Sequence, residues 1–182
     1  MTFAEAVREV IRDAATRPER PTPGGLCERV ARETERYLDR VQFSTDRYVR
    51  HPILLWDDWE VMLIAWENGQ ITPIHDHRGV IGGMVVLSGT LAEERFTTPG
   101  DRPELFDNRA RPEGDLSDIG PAILHRLTPT SGRAVSLHIY RPPLRTMGIW
   151  DANGLISIMP SAFDVGDDVL AEAARVPADS RI

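Results

Sequence analysis

The chain has 182 residues, 41% of them hydrophobic and 27% charged, the balance of a globular protein with enough length for one domain and a sizeable core. Its formal charge of -7 gives no electrostatic help toward phosphate backbones, so nucleic-acid partners are disfavoured. Cys27, the only cysteine, excludes an intramolecular disulfide and a zinc site built from thiolates. A reducing cytoplasm is therefore the expected location. The first residues lack an apolar signal core and no apolar run is long enough to cross a bilayer, so no membrane association is expected.

Phe3, Ala6, Val7, Val10, Ile11 and Ala14 recur at helical spacing, with Thr2 as candidate N-cap and Glu5 three residues on. The Pro- and Gly-rich stretch 17–25 ends that helix. A second is predicted over 26–41, with Leu26, Val30, Leu38 and Val41 on one side. Cys27 within it reads as a small buried filler. Both helices are expected to cover one flank of the remaining chain.

From residue 53 the texture becomes β-rich. Short runs at 53–56, 60–66, 79–88, 90–97, 114–119, 122–129, 134–140 and 154–159 are punctuated by Asn68-Gly69, Ser88-Gly89, Glu113-Gly114, Ser131-Gly132 and Asn153-Gly154. Many short strands with tight turns predict a mainly β fold, a small barrel or sandwich. The polar stretch 98–112 and the segment 144–151 read as loops, and a short helix is predicted at 168–174. The expected organisation is a single domain over 1–182: a helical segment (1–45), a barrel (48–160) and a tail (161–182).

His75 and His77 lie between the apolar runs 61–66 and 81–87. In an extended segment residues i and i+2 share a face, roughly 6.6 Å apart at their Cα atoms, so both imidazoles can converge on one metal ion. Two surface histidines beside a turn would give the same local pattern. Two more histidines, His125 and His138, fall on predicted strands, and Ser136, His138 and Tyr140 share one strand face. A buried row of Ser, His and Tyr is costly unless hydrogen-bonded, which points to a function for it. His51 reads as a surface residue; Trp66, Trp150 and Met147 read as core or pocket wall.

The spacing Gly69-(five residues)-His75-x-His77-(four residues)-Gly82-(six residues)-Gly89 resembles the first motif of the cupins, with Gly82 where a glutamate is usual. His125, after Gly120-Pro-Ala-Ile-Leu124, matches the second motif's histidine. More narrowly, Ile74-His-Asp-His77, Leu124-His-Arg126 and Ser136-Leu-His-Ile-Tyr-Arg-Pro-Pro143 resemble the cysteine dioxygenase family of thiol dioxygenases over roughly residues 48–159.

That resemblance implies a cupin-type jelly-roll barrel with the two N-terminal helices packed on one flank. It implies a non-haem ferrous ion, Fe2+, held by His75, His77 and His125, and a catalytic relay in which Ser136 orients His138 and His138 holds the Tyr140 hydroxyl. Many relatives cross-link this tyrosine to a cysteine; the matching position here is Gly82, so Tyr140 is expected as a free phenol. Tyr48-Val-Arg50 matches the substrate-binding Tyr-x-Arg, with Arg50 gripping a carboxylate through its planar fork. Arg141 and Arg145 are rival clamps. The implied reaction joins O2 to the sulfur of a small thiol acid, L-cysteine first and 3-mercaptopropionate second. A metal-binding cupin acting as a sensor or isomerase is the alternative from another class. Oligomeric state is left open.

Overall fold

The computed structural model describes residues 3–16 and 21–160; the cap expected at Thr2 and the helix expected at 168–174 lie outside the described residues. Helix α1 (Phe3–Ala15) buries Val7, Ile11 and Ala14, spaced i, i+4, i+7 along one stripe. Helix α2 (Pro23–Thr34) starts three residues earlier than the apolar spacing predicts. Thr22 caps it, its hydroxyl accepting from the Gly25 amide at 3.1 Å, and Pro23 takes the first helical position, where its missing N–H costs nothing. The α-helix also ends sooner, at Thr34, whose hydroxyl donates back to the Val30 carbonyl, and the chain tightens into a 3-10 turn over Glu35–Arg40.

Among the described residues eleven strands come next: β1 (Val49–Trp56), β2 (Trp59–Trp66), β3 (Ile74–Asp76), β4 (Ile81–Ser88), β5 (Thr90–Thr97), β6 (Glu104–Pro112), β7 (Leu116–Ile119), β8 (Leu124–Pro129), β9 (Ala134–Arg141), β10 (Thr146–Asp151) and β11 (Gly154–Pro160). They form two antiparallel sheets, β1-β2-β9-β4-β7 and β11-β10-β3-β8-β5-β6. The expected jelly-roll architecture and the helical flank are both present: α1 packs on β1, and α2 on β4, β7 and β9. Two of the predicted loops are strands. Residues 104–112 pair with β5 as an edge strand that is mostly exposed, so no apolar alternation marks it, and residues 146–151 pair with both β3 and β11.

Strands β2 and β9 run through the centre of their sheet and are buried on both faces, Arg141 excepted. Val61, Leu63, Leu137 and Ile139 meet Val7, Ile11, Leu26 and Val30 of the helices on the outer face. Met62, Ile64 and Trp66 face inward with Met84, Leu127 and Met147. His51 belongs to this buried part, not the surface: it is 5% exposed and its Nε2 lies 2.9 Å from the Gln42 carbonyl. Cys27 is buried, and desolvation, with the Asp118 charge second, pushes its thiol well up, so it is an inert filler. The Gly82-Gly83 pair serves both faces of β4. A Cβ on Gly83 would stand 2.4 Å from the Gly24 nitrogen and lift α2 off the sheet. A Cβ on Gly82 would stand 2.8 Å from Cδ1 of the Tyr140 ring.

Candidate metal centre

His75 on β3 and His125 on β8 are register partners across the two strands, and His77 lies one residue beyond the end of β3. All three are buried, their ring centroids are 4.6 to 5.1 Å apart, and one nitrogen from each lies within 4.8 Å of the others. Strand geometry thus closes the gap between parts of the chain fifty residues apart. Nδ1 of His75 donates to the Pro73 carbonyl at 3.0 Å, which leaves Nε2 free to ligate. Nδ1 of His125 sits 3.0 Å from a Glu93 carboxylate oxygen, so there too Nε2 is left over. The His125 Nε2 and both His77 nitrogens have no hydrogen-bond partner among the described residues.

Buried polar nitrogens without partners are costly, and a cation among them removes the cost. Burial, then the charge of neighbouring His125, pushes His75 and His77 well below the ordinary histidine range, so both are neutral and ready to ligate. Three imidazoles suit a divalent transition metal and leave coordination positions open. Among the described residues no carboxylate joins the three nitrogens. Gly82, where cupins commonly carry a ligating glutamate, gives its space to the Tyr140 ring instead.

Glu93 went unnoticed in the sequence, where Glu93-Glu94-Arg95 reads as an ordinary charged strand. In the fold it is buried behind His125, accepting from Ser117 at 2.9 Å and paired with Arg111 at 2.8 Å. Arg95 adds a charge contact at 3.3 Å. Burial alone would raise this carboxyl; the His125 hydrogen bond and charge, with Arg95 and Ser117, override it and hold Glu93 well below the usual carboxylate range. The carboxylate fixes which His125 nitrogen carries the proton and the plane of its ring. Asp76, between His75 and His77, points the other way. It accepts from the Trp150 indole at 2.8 Å and the Arg78 amide at 2.8 Å, tying β3 to β10.

The opposite wall carries the Ser-His-Tyr row. Ser136, His138 and Tyr140 are all buried; Ser136 Oγ lies 2.8 Å from His138 Nε2, and His138 Nδ1 lies 3.2 Å from the Tyr140 hydroxyl. The Tyr140 ring sits 5.4 Å from that of His77. Trp66 extends the row, its indole donating to Ser136 Oγ at 3.0 Å. Burial pushes the Tyr140 phenol well up, so it stays protonated.

Arg50 faces this same cavity, which has a volume of about 20 Å³ and is shared by Tyr48, His75, His125, His138 and Tyr140. Its Nη2 makes only a long contact, 3.9 Å, to the Met147 sulfur. Its Nε and Nη1, and the Tyr48 hydroxyl, have no hydrogen-bond partner among the described residues. The Tyr48 ring packs on Trp66 at 4.8 Å. The rival arginines are elsewhere: Arg141 pairs with Asp58 at 2.6 Å and lies over the Trp59 ring, and Arg145 is exposed. A second residue that sequence reading missed is Glu60, buried beside the cavity wall. Its carboxylate accepts from the Leu144 amide at 2.7 Å, and burial pushes it up to about 7 against that bond and the Arg50 charge.

Residues 27–153 match the model of the family described as cysteine dioxygenase type I. The chain is 30% identical to human cysteine dioxygenase type 1 over 117 residues, covering 60% of this chain and 58% of the human one. It is 28% identical to the Danio rerio protein of the same name over 138 residues, 69% of this chain and 67% of that one. The chain thus spans under two thirds of the length of the human relative. A solved structure from Thermus thermophilus shares the fold with a TM-score of 0.50 at 17% identity, covering 58% of this chain and 93% of that one. With its three-histidine cavity, its Ser-His-Tyr row and a family match that spans both, the chain belongs to the cysteine dioxygenase type I family.

Proposed function

We propose that the protein is a non-haem iron(II) thiol dioxygenase that converts a small thiol carboxylic acid to its sulfinic acid, with L-cysteine as the first-choice substrate. The balance is RSH + O2 giving RSO2H, both oxygen atoms ending on sulfur. The observation that carries the reading is Arg50: a buried guanidinium with two unpartnered nitrogens, in a cavity that His75 and His125 line with His77 close behind them, and that no carboxylate lines among the described residues. Such an arrangement accepts a ligand bearing two negative groups, one for the arginine fork and one for the metal.

His75, His77 and His125 would hold the ion, which when bound supplies the redox and Lewis-acid chemistry. The chain's own side chains do the rest. Arg50 and the Tyr48 hydroxyl anchor the carboxylate, which fixes where the sulfur lies. Met62, Ile64, Leu127, Leu144 and Met147 form the apolar part of the lining and limit the entry of water. Tyr140, held by His138, presents its hydroxyl to the reacting groups.

One observation favours 3-mercaptopropionate as a second reading: among the described residues no Asp or Glu lines the cavity to receive a substrate ammonium. Anaerobic reconstitution with ferrous iron, then O2 uptake and sulfinate analysis with each thiol, tests both. Uptake and stoichiometric sulfinate are expected with cysteine. Turnover with 3-mercaptopropionate alone selects the second reading, and none with either thiol leaves a metal-binding cupin without oxygenase activity.

A further inference from the structure

We infer that Trp66 sets the direction of every hydrogen bond in the Ser136–His138–Tyr140 row, and so leaves the Tyr140 hydroxyl proton, rather than its lone pair, free for the cavity. An indole N–H can only donate. Its acceptor here is Ser136 Oγ at 3.0 Å. The one other hydrogen-bond partner of that oxygen among the described residues is His138 Nε2 at 2.8 Å. With Trp66 supplying one hydrogen to Oγ, the serine's own proton has Nε2 as its acceptor. Nε2 therefore carries no hydrogen.

His138 is neutral. It is buried between its register neighbours Met62 and Met84 and, among the described residues, has no hydrogen bond to a carboxylate. Burial, then the charges of His125 and Arg50, pushes it down to about 3. A neutral imidazole with a bare Nε2 has its hydrogen on Nδ1, which then donates to the Tyr140 oxygen at 3.2 Å. The phenol's own hydrogen is left for whatever occupies the cavity.

The reverse order would run from Tyr140 to Nδ1 and from Nε2–H to Oγ. Two donors would then converge on Oγ, and the serine proton would be stranded between Ile64 and Val86, its neighbours in register. Ser136 is fully buried and does not line the cavity, so among the described residues no other group is placed to accept it. The forward order puts the one unpaired hydrogen at the cavity, where a ligand can take it. Trp66 is thus a positioning residue that acts through Ser136. The direction of the row stands independently of the reaction; its catalytic consequence, a hydrogen-bond donor aimed at the bound thiol and O2, rests on the thiol dioxygenase reading.

Long-range 1H–15N NMR of the full-length, zinc-loaded protein reads the proton positions directly. In the wild type His138 is expected with a protonated, pyrrole-like Nδ1 and a pyridine-like Nε2. Trp66→Phe is expected to abolish that single state, because Ser136 Oγ becomes free to accept from Nε2–H. Ser136→Ala, a smaller change that removes the donor to Nε2, is expected to do the same. A protonated Nε2 in the wild type, or an unchanged His138 in either folded variant, overturns the inference. In the iron-loaded enzyme Trp66→Phe is expected to lower kcat about tenfold with KM nearly constant. If wild-type protein consumes no O2 with either thiol, the functional reading falls while the NMR result still decides the direction of the row.

Discussion

The cavity has two unlike walls. The wall formed by β2 and β9 carries a buried row, Trp66 to Tyr140, joined end to end by three hydrogen bonds with no carboxylate or arginine in it. The wall formed by β3 and β8 is backed by an ionised cluster on β5 and its neighbours, in which Glu93 is surrounded by Arg95, Arg111 and Ser117. The difference comes from what each wall holds. A group that presents a proton to a reacting centre works best if it keeps that proton at a fixed atom, which burial among apolar side chains ensures for His138 and Tyr140. A proposed metal ligand must keep one nitrogen free of a proton and its ring fixed in angle, which the buried Glu93 carboxylate behind it favours for His125.

Damage to the charged wall is expected to cost most. Glu93→Ala strands Arg111 and Arg95, and breaking such a buried pair costs about 3–5 kcal/mol of stability, readable as a lower urea midpoint. Glu93→Gln, which keeps the shape, is expected to weaken metal affinity about 10- to 100-fold in a chelator competition. Unchanged affinity in the glutamine variant would reduce Glu93 to a structural ion pair. Next comes the group that reaches between the walls. Arg50→Ala is expected to lower kcat/KM about 10- to 100-fold, the worth of charge-assisted hydrogen bonds to a carboxylate, while metal content stays full. Metal loss in that variant would move Arg50 from substrate to site assembly.

The neutral wall is expected to respond to sterics. Gly82→Ala drives a methyl group into the Tyr140 ring, at a cost of about 1–3 kcal/mol. Its signature is a fall in kcat larger than any fall in metal affinity, since the ring moves and the three histidines do not. The smallest effect is a pH dependence. Glu60 holds its proton more tightly in the folded chain, at about 7, than at its ordinary value of 4.5. The stability this gives is complete below about pH 4.5 and is lost as pH rises through about 7. Glu60→Gln carries no charge at any pH, so relative to wild type it is expected to gain about 1–3 kcal/mol between pH 5 and pH 8. A pH-independent difference in urea midpoints would remove Glu60 from that role.

The same division governs how readable each wall was in the sequence. Ser136, His138 and Tyr140 lie on one strand, where a period of two puts them on one face whatever the strand pairs with. His75 and His77 are legible for the same reason. The meeting of His125 with His75, and of Glu93 with His125, depends instead on the register of β8 against β3 and β5. Residue spacing says nothing about that register; family resemblance supplied His125 but not Glu93. One signal was available: Leu91, Glu93 and Arg95 alternate on a single face of β5, so an apolar residue and two charges share an inward row. Strand β6 was missed because an edge strand exposed to solvent need not alternate, and His51 because its partner, the Gln42 carbonyl, lies in a segment with no regular pattern.

The most direct test is an iron-edge anomalous map from crystals of the ferrous-loaded protein. One peak is expected, bonded to Nε2 of His75, Nε2 of His125 and a ring nitrogen of His77, with Glu93 remaining on Nδ1 of His125. A peak elsewhere, or one with the Glu93 carboxylate swung round to join the ion, would contradict the carboxylate-free centre on which the proposed chemistry depends.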